Sequence, residues 1–123
     1  MKKIKEKVAD NKNNNLEVLD LECPVADVQK VINGKWSMVV IYFLSQKTHR
    51  FGELRRRIPY ITEANLTKEL RMLEEYGLIH REVYKEVPPK VEYSLTDIGR
   101  DFLPVIEELD KWARKYREYK NKL

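Results

Sequence analysis

The most regular hydrophobic pattern in the chain lies in ITEANLTKELRMLEEYG at residues 61–77, where Leu66, Leu70 and Leu73 recur at helical spacing. Thr62 is suited to the N-cap, Ile61 and Leu66 occupy the positions of a hydrophobic staple, and Gly77 closes the segment. At about 100° per residue, Ala64, Thr67, Lys68 and Arg71 fall opposite the leucine stripe. Upstream, Phe51, Leu54 and Ile58 follow i, i+3, i+7 until Pro59 stops them. A short helix, a tight turn and a second helix with a small, polar, basic outer face have the order of a helix-turn-helix.

The flanking segments are read in the same way. Pro24 can open a helix carrying Val25, Val28 and Ile32, with Gly34 as its C′ residue. Met38 to Leu44 is an unbroken apolar run, and periodicity alone does not separate a buried helix from a strand there. A capping Ser37 and helical neighbours favour helix. Val91, Tyr93 and Leu95 alternate with Lys90, Glu92 and Ser94, the period of a half-buried strand, and Ile79, Val83 and Val87 share a looser parity. Pro88 and Pro89 cannot donate to a ladder, so 79–95 reads as a hairpin with a stiff, protruding tip.

Thr96 can cap a final helix over 96–120 whose stripe runs through Ile98, Phe102, Val105, Ile106, Leu109, Trp112, Ala113 and Tyr116, with Pro104 expected to kink it. A helix of that length, about 30 Å, outreaches so small a domain, and an uncovered apolar stripe marks a partner surface. The expectation is a homodimer through this helix, with Val25 and Val28 of the 24–33 segment contributing. The predicted fold is mainly α with a small β-hairpin. Residues 1–15 are expected to be flexible, and 16–123 to form a single domain.

Charge sharpens the picture. Among 123 residues the net charge is only +4, but residues 47–71 carry seven Lys/Arg against three acids and 72–110 carry four against ten. Both ends are basic, and such segregation suits a polyanion partner. One cysteine and two histidines make neither an intrachain disulfide nor a zinc pattern, and the charged N-terminus is neither signal peptide nor membrane span. A reducing cytoplasm fits. No Gly-rich phosphate loop, HExxH motif or catalytic constellation is present, so neither enzyme nor cofactor is expected.

The candidate chemistry is therefore that of binding. Arg71 is suited to a guanine edge, Lys68 to phosphate, Asn65 to adenine or a backbone oxygen, and Thr67 to a thymine methyl. Arg55, Arg56 and Arg57 are candidate phosphate contacts, as are His49 and Arg50 before them and Lys85 and Lys90 beside the proline tip.

The blocks CPVADVQKVINGKW at 23–36, RFGELRRRIP at 50–59, ITEANLTKELRMLEEYGLI at 61–79 and VPPKVEYSLTDIGR at 87–100 resemble the HxlR family of winged helix-turn-helix transcriptional regulators. The resemblance covers residues 23 to about 116. It implies that 38–46 is helical, that 62–76 is a recognition helix for the major groove, and that the hairpin is a wing on adjacent DNA. It also implies dimerisation through terminal helices on a pseudo-palindromic duplex site, and a place for Cys23 where some members carry a sensing cysteine. Read from its own neighbours, Cys23 is an inert, packed thiol or a responsive one, with Asp20 and Glu22 opposing thiolate formation. The competing classes are a winged-helix protein-interaction module and sequence-neutral binding through the basic ends. Operator, target genes, direction of regulation and any small-molecule effector are not written in the sequence.

Overall fold

The computed structural model describes residues 23–123. The expected flexible segment 1–15 and the boundary at residue 16 lie outside the described residues. The chain runs α1 (Pro24–Val31), α2 (Ser37–Gln46), β1 (His49–Arg50), α3 (Phe51–Arg57), α4 (Glu63–Glu75), β2 (Ile79–Tyr84), β3 (Lys90–Leu95), α5 (Asp97–Arg100) and α6 (Leu103–Asn121).

The ambiguous apolar run is α2, and it is the central post of the core: Val40, Ile41 and Leu44 are buried, with Val39 and Phe43 packed beside them. Ser37 does not cap it as expected. Trp36 holds the N-cap position, and Ser37 is the first helical residue, its hydroxyl donating to Glu69 Oε1 at 2.8 Å. A buried carboxylate without a donor is costly, so the hydroxyl serves Glu69 rather than the helix end. Gly34 is likewise not the C′ residue of α1, which stops at Val31 with Ile32 as its C-cap and buries no residue.

α4 follows its signals closely. Thr62 Oγ1 accepts from the Asn65 amide at 3.0 Å, Ile61 and Leu66 are both buried, and Leu66, Leu70 and Leu73 face the core. Each such leucine stabilises the fold by about 1.5–3 kcal/mol. The helix ends in a Schellman motif. Gly77 adopts φ 83°, its amide donates to Glu74 O, and the Leu78 amide donates to Leu73 O, both at 2.9 Å.

The sheet is antiparallel with order β1-β3-β2. The hairpin registers Ile79 against Leu95 and Tyr84 against Lys90, leaving 85–89 as the tip, where the Val87–Pro88 bond is cis. Tyr93 and Leu95 are buried and Val91 half-buried, as the alternation requires. On β2 only Ile79 is covered. Val83 is half-exposed and Val87, outside the strand, is fully exposed, so the looser parity there reflects no buried face.

The C-terminal stretch is two helices rather than one kinked helix. Thr96 caps α5, accepting from the Gly99 amide at 3.2 Å, and the chain turns at Asp101 and Phe102 before α6. Pro104 lies in the first turn of α6, where a missing N–H costs nothing. Ile98 is exposed and off the stripe. The Thr96 amide donates to Leu78 O at 3.0 Å and its hydroxyl lies 2.6 Å from Gly77 O, fastening the base of the hairpin to the end of α4.

Candidate nucleic-acid interface

Because the leucine stripe turns one side of α4 inward, its other side is offered to solvent. Ala64, Asn65, Lys68 and Arg71 are exposed there and Thr67 is half-buried. Neither Lys68 nor Arg71 forms an ion pair with another described residue, so both donors are open to a ligand. Glu69 is a charged residue at an inward position of the same helix, 7% exposed, and Ser37 satisfies it.

The three arginines of α3 divide. All three are exposed, but only Arg57 is engaged within the fold, its guanidinium 4.2 Å from the Phe43 ring centroid and 3.2 Å from His49 Nε2. His49 is corrected outright: at 1% exposed it reaches no phosphate. Its Nδ1 donates to Lys47 O at 2.7 Å, which leaves Nε2 to accept from Arg57. The cause is β1, a two-residue strand whose pairing of His49 with Tyr93 draws the imidazole inside. Arg50, its neighbour on the other face, is exposed at the N-cap of α3. The Arg50 amide donates to Glu53 Oε1 at 2.8 Å, and this bond, ahead of the nearby positive charges, holds the Glu53 carboxyl below its ordinary range.

On the hairpin, Lys85 is exposed in the tip. Lys90 is half-buried, 3.4 Å from Glu92 Oε2 and 4.8 Å from the Tyr84 ring centroid, so its charge is partly spent within the hairpin. A hydrogen bond to Glu92, reinforced by the charges of Glu92, Glu82 and Glu86, pushes the Tyr84 phenol up.

Among the described residues, two apolar surfaces are left uncovered. α6 buries no residue: Leu109, Trp112 and Tyr116 are exposed, Ala113 lies with them, and Trp112 stacks on Tyr116 with centroids 5.2 Å apart. Ile106 alone of the expected interface set on α6 is partly buried, against the core. A groove of about 930 Å³ separates this helix from Met38, Val39 and Tyr42 of α2. On α1, Val25 and Val28 are exposed. Cys23 is exposed at the N-cap of α1 and is not packed against the other described residues.

Sequence reasoning missed Glu69 and its partner Ser37, although a charge at an inward helical position was a visible signal. Among the described residues there is no cluster able to hold a metal ion, and no helix is long and apolar enough to cross a membrane.

Comparison with known proteins supplies the context. The model of the HxlR-like helix-turn-helix family matches residues 31–121. The chain is 50% identical over 101 residues, 82% of its length and 79% of the relative's, to the uncharacterized HTH-type transcriptional regulator YdeP of Bacillus subtilis (strain 168). Among solved structures, the redox regulator HypR in its reduced form is 42% identical with a TM-score of 0.77, covering 82% of this chain and all of that one. The reduced form of the transcriptional regulator YodB from B. subtilis is 30% identical with a TM-score of 0.69, over 78% of this chain and 95% of that one.

Proposed function

The chain belongs to the HxlR-like helix-turn-helix family and is a transcriptional regulator of that type; from this premise we propose that it reads a specific duplex DNA sequence as a homodimer. The observation that carries the reading is the exposed face of α4, where Arg71, Lys68 and Asn65 have no side-chain partner among the described residues on a helix whose opposite side is locked into the core.

With α4 in the major groove, Arg71 donates a pair of hydrogen bonds to a guanine edge, an interaction giving about 1–3 kcal/mol of discrimination. Asn65 faces an adenine or a backbone oxygen, Thr67 a thymine methyl, and the small Ala64 with Thr62 lets the helix end approach closely. Lys68, Arg50, Arg55 and Arg56 meet phosphates. The hairpin is the wing, with Lys85 in its tip and Lys90 on the rung beside the tip, both on the adjacent backbone. Apolar burial of Leu109, Trp112, Ala113 and Tyr116, with Ile106, Val25 and Val28 at the margin, pairs two copies. The paired α4 helices then address successive major grooves about 34 Å apart on a pseudo-palindromic site. Such a protein acts in the cytoplasm, where its DNA is.

Fluorescence anisotropy with DNA from upstream of the protein's own gene, against scrambled duplex at several salt concentrations, tests this. Arg71→Ala should lose about 1–3 kcal/mol of preference for the cognate duplex. Preference unchanged by the substitution moves base readout away from α4, and equal affinity of the wild type for every duplex, including sequences selected from random DNA, refutes sequence-specific regulation.

A thiol response is a second element of the reading. HypR is a redox regulator, and Cys23 here is exposed at the start of a helix in the proposed dimer interface. As the chain's one cysteine, it supports an adduct, a mixed disulfide or an intersubunit disulfide. Alkylation of Cys23 should weaken duplex binding by shifting α1; equal affinity before and after complete modification ends the idea.

A further inference from the structure

The turn between α1 and α2 is fastened to the side of α4. Ser37, 1% exposed, accepts from the Gly34 amide at 3.0 Å and donates to Glu69 Oε1 at 2.8 Å. A Cβ at Gly34 would overlap the Glu69 carboxylate, so the backbone of the turn lies directly against it. With Ala64 at zero and about 100° per residue, Lys68 lies at about 40°, Asn65 at about 100° and Glu69 at about 140°. Leu73 lies at about 180°, so the anchored side of α4 is the flank between its outward face and the core stripe.

That flank holds a cleft of about 290 Å³. Asn33, Lys35 and Trp36 form one wall, and Asn65, Lys68 and Met72 the other, over Glu69. Lys35 is exposed, with its Nζ 5.0 Å from the Trp36 ring centroid. The rim thus offers two ammonium groups and two side-chain amides. The one carboxylate below them is largely withdrawn from solvent and already accepts from Ser37.

We propose that this cleft receives a phosphate of the DNA backbone, with Lys35 as a further phosphate ligand that fixes how α4 sits in the groove. The proposal rests on the reading of α4 as the base-reading helix. A helix lying in the major groove has a phosphate strand running beside it. A cleft on the flank of α4, walled by Lys68 on the helix and Lys35 on a turn tied to it, is where such a strand passes. The Gly34–Ser37–Glu69 link keeps the two walls at fixed separation, so Lys35 acts on register rather than on sequence.

The test compares wild type, Lys35→Ala and Lys35→Arg on a duplex recovered by selection from random DNA and on its scrambled version, across a salt series. Lys35→Ala should reduce the slope of log affinity against log salt by about 0.9 for each phosphate no longer neutralised, twice that for a symmetric dimer. Both duplexes should weaken by the same factor, and Lys35→Arg should keep the wild-type slope. A wild-type slope in Lys35→Ala, or a lost preference between duplexes without a slope change, overturns the proposal while leaving α4 as reader. A slope unchanged by Lys35→Ala, with inorganic phosphate raising the melting temperature of wild type and not of the variant, assigns the cleft to a free anion and also overturns it. Failure of wild type to prefer any duplex overturns the underlying reading, and this one with it.

Discussion

Replacing Gly99 by alanine should destabilise the protein by about 1–3 kcal/mol, although alanine is the better helix former by about 1 kcal/mol. Gly99 is buried in α5, and a Cβ there would overlap Leu78 O, with Leu78 C at 3.1 Å and Leu95 Cδ2 at 3.3 Å behind it. The carbonyl cannot swing aside cheaply. It accepts from the Thr96 amide at 3.0 Å, while the Leu78 amide is committed to Leu73 O in the closing motif of α4. Relief requires α5 to move off the base of the hairpin or one of these bonds to break. Overpacking costs about 1–3 kcal/mol and a broken backbone hydrogen bond about 1, against the propensity gain. The contrast is Gly52→Ala in α3, where the nearest atom to an added Cβ is Arg56 Nη1 at 3.8 Å, the end of a mobile side chain. There the same substitution should stabilise by about 0.5 kcal/mol. Urea unfolding followed by tryptophan fluorescence measures both. Stability of Gly99→Ala within about 0.5 kcal/mol of wild type, or matching losses for the two variants, would refute the steric argument.

Thr62→Ala removes the α4 cap and should lower unfolding stability by about 1 kcal/mol with an unchanged urea slope; no loss would mean that the Asn65 amide is satisfied otherwise. The Glu53 carboxyl is held below its ordinary value of 4.5 chiefly by the Arg50 amide, so the stability it contributes is complete above that value and lost as pH falls through the lower folded-state value. Glu53→Gln should therefore show a shallower acid-side decline in urea midpoint below pH 4.5, and a decline as steep as wild type would count against the linkage. Trp112→Glu places a charge in the exposed α6 stripe and should yield monomers in sedimentation velocity; a persistent dimer would put the interface elsewhere.

How much of this was legible depended on whether independent local signals agreed. In α4 the cap, staple, stripe and terminal glycine all pointed to one helix with one inward face, and the structure has it. β1 carries no such agreement, because two residues have no period, and its partner Tyr93 is over forty positions away. The fate of His49 followed from that hidden pairing: beside a basic helix it read as a phosphate ligand, yet tertiary hydrogen bonding buried it. The break between α5 and α6 was missed because Ile98, Phe102 and Ile106 keep helical spacing across it. Pro104 reads as a kink within one helix, whereas the turn at Asp101 and Phe102 makes it a first-turn residue of a new one. Glu69 was overlooked because hydropathy scores a glutamate as surface, whereas its angular position already put it among buried neighbours.

The distribution of anchoring gives the proposed regulator a mechanical logic. α4 is held along its inward side by Leu66, Leu70 and Leu73, at its flank by Ser37 and Glu69, and at its end by the junction of Leu78, Thr96 and Gly99. Beyond Ile79 the hairpin is exposed on β2, and α6 buries no residue fully. Elements with little buried surface open at low cost, whereas a helix pinned on several sides moves only with the whole core. On the proposed reading, the donors of Arg71 and Asn65 are thus presented on a stiff support, limiting the ordering cost of binding to their own side chains. As a wing on the same proposed reading, the hairpin would adapt to the DNA it meets. The distance between two α4 helices is set by how the α6 stripes pair, because that is where the proposed dimer joins. Any signal that shifts the α6 pairing would consequently alter operator affinity through half-site spacing, without touching the base-reading face.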